Sequence, residues 1–74
     1  MLLSDTTSSE KVKLVEIKDR SLKIHLLKLG IQEGDVVTIS HKVSHGPFIL
    51  QHKSQEIALG SKNLSQIEVR HYSN

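Results

Sequence analysis

Residues 29–39 read LGIQEGDVVTI and join the end of a predicted helix to the start of a predicted strand. Gly30 can adopt the left-handed conformation that ends many helices, and Ile31 can supply the apolar contact that accompanies this ending. A stretch of turn composition follows, and Val37 and Ile39 then stand on either side of a polar residue, the period of a half-buried strand. The stretch therefore predicts a helix that packs on a small β-sheet.

The residues before this stretch predict the helix itself. Leu22, Leu26 and Leu29 recur at i, i+4 and i+7, which places them on one apolar face. Ile24 and Leu27 widen this apolar stripe. We expect the leucine face to pack on the sheet.

Lys11–Ile17 predicts the first strand, because Val12 and Leu14 alternate with lysines. Val15 and Ile17 break this alternation. Two explanations are open at this point. Either a β-bulge lies near Leu14, or the strand is covered on both faces beyond that residue.

Four further strands and a helical turn follow the helix. In the second strand, alternation places Val37, Ile39 and Val43 on one face and the polar residues, Lys42 among them, on the other. The predicted elements are a second strand over 36–43, a third over 48–52, a fourth over 56–59, a helical turn over 60–64 and a closing strand over 66–70.

The order of these elements predicts a mainly β fold, a small SH3-like five-stranded barrel with one α-helix between strands 1 and 2 and a short helical turn before the last strand. We expect one domain over residues 1–74, with an N-terminal segment at 1–9 that tucks in Leu2 or Leu3 and a tail at 71–74. Closure of the barrel would remove edge strands. The predicted interior contains Val12, Leu26, Val37, Ile39, Leu59 and Val69.

The composition excludes several function classes. The chain has 74 residues and no cysteine, so disulfides and thiolate chemistry are absent. Its ten basic and eight acidic residues are interspersed, and Phe48 and Tyr72 are its only aromatic residues, so we expect no nucleic-acid partner. No apolar run approaches the roughly 18 residues of a membrane span and no signal peptide is recognisable, which predicts a cytoplasmic protein without direct membrane insertion.

Three histidines near one hairpin form the candidate metal site. His41, His45 and His52 could converge, and Glu56 could complete a set of imidazole and carboxylate ligands suited to Fe(II) or Zn(II). Their spacing matches no standard metal motif, and solvated loop histidines are the alternative. We expect that the protein requires no cofactor.

Two sets of residues are candidates for binding a partner protein. Arg20, Lys23 and Lys28 give the helix a basic face that could steer an acidic partner, and an ordinary solvated face is the alternative. Phe48 and Ile49 belong to an apolar run in which a strand must turn at least one side chain outward.

This second set could form an exposed apolar patch that Leu27 extends. The alternative is that both faces of the strand are covered, for example by the N-terminal segment.

No motif for catalysis is present. The chain lacks a nucleophile elbow, a phosphate-binding glycine loop, a zinc-protease helix and a dinucleotide fingerprint. Its carboxylates are scattered one to each predicted element, which argues against a paired acid and base. We therefore expect a protein that is not an enzyme.

The ordered set of these elements resembles the FeoA family, that of ferrous-iron transport protein A. The resemblance covers roughly residues 3–69. The chain departs from the family where Thr6 and Ser8–Ser9 stand in place of a leucine and a Pro-Gly turn, which predicts a looser N-terminal segment. The residues that carry it are Leu29, Gly30, Ile31, Gly34, Val37, Thr38, Ile39, Gly46, Pro47, 56–59, Leu64 and 67–69.

The resemblance implies a small cytosolic accessory protein that binds the cytoplasmic region of a membrane Fe(II) transporter with a GTP-binding domain. Three alternatives accompany it: a metal carrier or sensor that uses the hairpin histidines, an interaction module related to the C-terminal domain of iron-dependent repressors, and stimulation of GTP hydrolysis in trans by Arg20 or Arg70. Weak self-association is a further expectation that the sequence leaves open.

Overall fold

The computed structural model describes residues 1–7, 9–42 and 46–72. The predicted strands and helix are all present, with boundaries that move by one or two residues, and Val43 of the predicted second strand lies outside the described residues. The elements are a 3-10 helix at Leu3–Asp5, β1 at Lys11–Ile17, α1 at Arg20–Lys28, β2 at Val36–Lys42, β3 at Phe48–His52, β4 at Gln55–Leu59, a second 3-10 helix at Ser61–Gln66 and β5 at Ile67–His71.

The five strands form one antiparallel sheet in the order β4-β3-β2-β1-β5. The predicted mainly β fold is therefore confirmed. The described strand order ends at β4 and β5, so these two are edge strands, although closure of the barrel was predicted to remove every edge. An isolated bridge between Leu2 and Glu68 covers part of the β5 edge.

The core lies between the curved sheet, α1 and the two 3-10 helices. All six residues predicted for the interior are buried, and Leu3 of the N-terminal segment is fully enclosed beside them. Phe48 is among the largest fully buried side chains. The remaining buried apolar residues are Leu14, Ile17, Leu22, Ile31, Leu50, Ile57, Leu64 and Ile67.

The end of α1 has the predicted form. Gly30 adopts a φ of +85°, and its N–H donates to the carbonyl of Leu27 at 3.0 Å. The N–H of Ile31 donates to the carbonyl of Leu26 at 2.9 Å, which completes a Schellman motif and brings Ile31 into the core. At the other end, Asp19 caps the helix through its carboxylate.

A β-bulge interrupts β1. Leu14 pairs with Val69 and Glu16 pairs with Glu68, so Val15 is the extra residue between them. The Val15 side chain is 47% exposed, so β1 is not covered on both faces there. The bulge is therefore the correct one of the two sequence-based explanations.

A second bulge, in β2, was not predicted. Ile39 pairs with Leu50 and His41 pairs with Ile49, so Ser40 is the extra residue. Because cross-strand partners lie on the same face of a sheet, this bulge reverses the alternation beyond Ile39. His41 therefore shares the outer face with the half-buried Ile49.

The same bulge corrects the prediction for Lys42, which was expected on the outer face. Lys42 pairs with the buried Phe48, and its ammonium donates to the carbonyls of Ser4, at 2.9 Å, and of Thr6. Thr6 is itself buried, and its hydroxyl donates to the carbonyl of Leu3 at 2.6 Å. The N-terminal segment is thus held by polar contacts at Ser4 and Thr6, and Ser8, which also belongs to the predicted looser segment, lies outside the described residues.

Candidate functional site

One face of α1 presents apolar side chains to solvent. Ile24 is 48% exposed and Leu27 is 57% exposed, one turn apart. Arg20, Lys23 and Lys28 surround them and are also exposed. We call these five residues the α1 surface.

The opposite face of the helix packs on the sheet through Leu22 and Leu26. Ile24 follows Leu22 by two residues, which is about 200° around a helix of 3.6 residues per turn, so it points away from the core. The exposure of Ile24 was not predicted, because its apolar side chain suggested a place in the buried stripe with Leu22 and Leu26. The angle between Leu22 and Ile24 around the helix was the only sequence signal that could have predicted this exposure.

Two shallow grooves flank the α1 surface. The larger has a volume of about 470 Å³ and lies toward the end of β1, and the smaller has about 160 Å³ and lies toward the turn after the helix. The larger groove is lined by Ile17, Lys18, Arg20, Lys23, Ile24 and Leu27, and the smaller by Lys23, Leu27, Ile31, Gln32 and Glu33. Leu27 and Lys23 contribute to both.

Glu33 fixes the turn that borders this surface. Its carboxylate accepts a hydrogen bond from the N–H of Ile17 at 2.9 Å and forms a salt bridge with the ammonium of Lys23 at 3.2 Å. The hydrogen bond from Ile17 and the contact with Lys23 lower the pKa of Glu33. Arg20 and Lys28 form no salt bridge within the described part of the chain, so the α1 surface remains basic.

The hairpin does not supply the predicted apolar patch. Phe48 is fully buried, and so is Leu50, which removes Phe48 from the candidate partner-binding residues. Ile49 alone of the three turns outward, where it is half-buried opposite Ala58. The two grooves that Leu27 lines include none of the described hairpin residues, and a patch shared by Leu27 and Ile49 stays a prediction.

The two described histidines of the candidate metal site lie on opposite faces of the sheet. His52 is 7% exposed and points inward, with its Nε2 atom 3.5 Å from a carboxylate oxygen of Asp35. His41 is exposed on the outer face, and Glu56, in the strand beyond, is also exposed. His45 lies outside the described residues.

Over residues 1–7, 9–42 and 46–72, no group of three His, Cys, Asp or Glu side chains is placed to hold a metal ion. The structure therefore does not bring His41 and His52 together. A metal site on this hairpin stays a prediction that only a binding measurement can test.

Among the described helices, none is both long enough and apolar enough to cross a membrane. Comparison with known families gives a match to the FeoA domain over residues 1–71. No curated protein matches the chain.

Two solved structures share the fold. A solution structure of the FeoA protein from Chlorobium tepidum is 15% identical with a TM-score of 0.88, and the match covers 99% of this chain and 71% of that one. A FeoA-like protein from Clostridium acetobutylicum is 20% identical with a TM-score of 0.82, over 100% of this chain and 88% of the other. At these identities the similarity establishes the fold.

Proposed function

This chain belongs to the FeoA domain family, and from that premise we propose that it docks on the cytoplasmic region of a membrane Fe(II) transporter that carries a GTP-binding domain. Membership of the family implies a part in ferrous iron transport. The proposed role is that of an accessory protein which modulates the transporter and catalyses no reaction itself. Such a role places the protein in the cytoplasm, where the transporter's GTP-binding domain lies.

The observation that supports docking is the combination of apolar and basic side chains on the α1 surface. Exposed Ile24 and Leu27 offer an apolar contact that gains free energy when water is removed from it. Arg20 and Lys28 lie beside this contact and have no acidic partner in the described part of the chain. The complementary partner is an apolar pocket with an acidic rim.

The helix end and the turn that hold the α1 surface are fixed by hydrogen bonds, and a fixed surface favours recognition of one partner. The Schellman motif fixes the end of α1, and Glu33 links the following turn to both β1 and the helix. A side chain held on a rigid element loses less conformational entropy on binding. Leu27 therefore is the side chain that we expect to contribute most to affinity.

The test measures binding of the full chain to the isolated GTP-binding domain of the transporter from the same organism. Leu27→Glu should weaken binding at least about tenfold, because it puts a carboxylate into the apolar contact and opposes the acidic rim. Ser54→Glu adds the same charge in the exposed β3–β4 turn and should bind as the unsubstituted chain does. Circular dichroism should be unchanged for both, since both positions are exposed.

A third variant separates the helix from the hairpin. Ile49→Lys should leave binding intact if the partner contacts the α1 surface alone, and should weaken it if the partner also covers the hairpin. Unaltered binding by Leu27→Glu would remove the α1 surface from the proposal. Failure of the unsubstituted chain to bind the domain at all would remove the docking function itself.

A further inference from the structure

The pairing of β1 with β5 places like charges directly opposite each other at two positions. Lys13 pairs with Arg70, and Glu16 pairs with Glu68 on the other side of the bulge. Like charges in directly opposed positions destabilise a sheet. The two pairs differ in the counter-charges that the rest of the chain places beside them.

One member of the acidic pair, Glu68, is neutralised within the molecule. One carboxylate oxygen of Glu68 lies 2.7 Å from the ammonium of Met1, and the other lies 3.7 Å from the ammonium of Lys18. The hydrogen bond from Met1 is the largest cause of the lowered pKa of Glu68. Glu68 therefore has two counter-charges inside the fold, whereas Glu16 is exposed to solvent and forms no salt bridge with the described residues.

The basic pair has no such counter-charge. Neither Lys13 nor Arg70 forms a salt bridge or a side-chain hydrogen bond with any of the residues that the structure describes. Glu68 stands two residues from Arg70 in β5, but its oxygens are engaged by Met1 and Lys18. The two cations therefore lie opposite each other with no described carboxylate within salt-bridge distance of either one.

An open groove lies over the basic pair. Its volume is about 390 Å³, and it is lined by Lys13, Leu14, Val15, Glu33, Gly34 and Arg70. The bulge turns Val15 outward at the side of the groove, where it is 47% exposed. The acid in this lining, Glu33, is engaged by the N–H of Ile17 and by Lys23.

We infer that this groove is a second docking surface, built to receive an acidic segment of a partner protein. We call Lys13, Val15 and Arg70 the β1–β5 surface. A carboxylate of the segment binds between the two cations, and an apolar side chain next to it contacts Val15. The bound carboxylate supplies the counter-charge that the fold omits and relieves the repulsion between Lys13 and Arg70.

A protein segment fits this surface better than a nucleic acid or an anionic membrane does. The net charge of the chain is only +2, so it lacks the broad positive field that many phosphate contacts require. Phe48 is buried, which leaves Tyr72 as the one exposed aromatic side chain in the described residues, too few for stacked bases. The exposed Val15 suits a partner that carries apolar side chains as well as charge.

This inference goes beyond the proposed function, because the β1–β5 surface and the α1 surface share no residue. Glu33 borders both the small groove beside α1 and the groove over the basic pair. One partner could therefore contact both surfaces across the turn that contains Glu33, and two partners could each contact one. The inference holds in either case.

The experiment follows backbone amide shifts of the full chain by NMR while a synthetic peptide rich in Asp, Glu and Leu is added at low salt. We expect shifts centred on Lys13, Val15 and Arg70. The double variant Lys13→Gln with Arg70→Gln should lower the affinity at least about tenfold. The matched control, Lys53→Gln with Lys62→Gln, removes the same charge from exposed positions elsewhere and should keep the affinity.

A charge reversal makes the test sharper. Lys13→Glu replaces the repulsive pair by an attractive one, so the melting temperature should rise by about 1 to 5 °C while peptide binding is lost. A merely structural lysine would show no such opposition between stability and binding.

Three outcomes would overturn the inference. The first is an equal loss of affinity in the control double variant, which would show attraction by net charge alone. The second is a response of the same amides to vesicles of phosphatidylserine and phosphatidylcholine, or to an oligothymidylate, with none to the peptide. The third is a Lys13→Glu variant that binds the peptide as well as the unsubstituted chain.

Discussion

The outer face of α1 and the β2–β3 hairpin were both predicted to carry functional residues, and the structure treats them differently. On α1, the predicted Arg20, Lys23, Leu27 and Lys28 are all exposed on one surface. On the hairpin, the predicted residues that the structure describes are divided between the core face of the sheet, with Phe48 and His52, and the outer face, with His41 and Ile49. The comparison shows how far a face can be inferred from sequence spacing in each kind of element.

Phe48 and Ile49 lie on opposite faces through the ordinary alternation of β3, and the two described histidines are separated by the bulge at Ser40. In a helix, the angle between two side chains depends only on their separation along the chain, so neighbours at three and four residues stay together. In a strand, one inserted residue exchanges the two faces for every residue beyond it. The bulge after Ile39 moves His41 outward, while His52 remains inside.

The largest expected effect tests the burial of Phe48 against the partial exposure of Ile49. Phe48→Ala should lower the free energy of unfolding by about 3 to 5 kcal/mol, because it leaves a cavity in the core. Ile49→Ala should cost about 1 kcal/mol, since Ile49 is half-buried on the outer face. Urea unfolding measures both, and equal losses would contradict the assignment of the two side chains to opposite faces.

The next effect compares the two described histidines. His52→Ala should lower the free energy of unfolding by about 1 to 3 kcal/mol, because the buried ring packs in the core and leaves Asp35 without its neighbour. His41→Ala should change it by less than about 0.5 kcal/mol, because His41 is exposed. Thermal or urea unfolding at neutral pH distinguishes the two.

The same two variants bear on the metal hypothesis. Anaerobic calorimetry with Fe(II) and with Zn(II) should show no binding that depends on both histidines, because one ion cannot contact residues on opposite faces of a sheet. If the unsubstituted chain reaches a stoichiometric endpoint and each of the two single variants abolishes it, His41 and His52 converge in solution. The assignment of a bulge at Ser40 would then be wrong.

Local sequence predicted what depends on local geometry. The Gly30 turn, the burial of Ile31 and the alternation of β1 up to Leu14 each follow from neighbouring residues and are present in the structure. The bulge at Val15 was one of two open explanations, and no residue type marks the bulge at Ser40. The shared interior was predicted, but polar contacts between side chains distant in sequence were not.

Lys42 shows why such contacts escape a local analysis. Its ammonium binds carbonyls of Ser4 and Thr6, more than thirty residues earlier in the chain. Neither segment contains a motif that predicts a contact with the other. The repulsive pair of Lys13 and Arg70 escaped for the same reason, since only the register of β1 with β5 brings them together.

The smallest expected effect concerns Glu33, which links the turn after α1 to β1 and to the helix. Its pKa lies below the ordinary value of 4.5, because the carboxylate accepts the hydrogen bond from Ile17 and contacts Lys23. A carboxylate with a lowered pKa in the folded state contributes stability that is present above the unfolded pKa. That contribution is lost as the pH falls through the folded pKa.

Glu33→Gln should therefore reduce stability at neutral pH and make the loss of stability between about pH 6 and pH 3 less steep. The effect should be smaller than that of His52→Ala, since the Glu33 side chain is 32% exposed and solvent screens its charge. Glu56→Gln is the matched control, because Glu56 is exposed and makes no salt bridge in the described part of the chain. Urea midpoints measured across this pH range should be shifted by Glu33→Gln alone, and identical pH profiles for the two variants would show that Glu33 does not link the turn to β1 and α1.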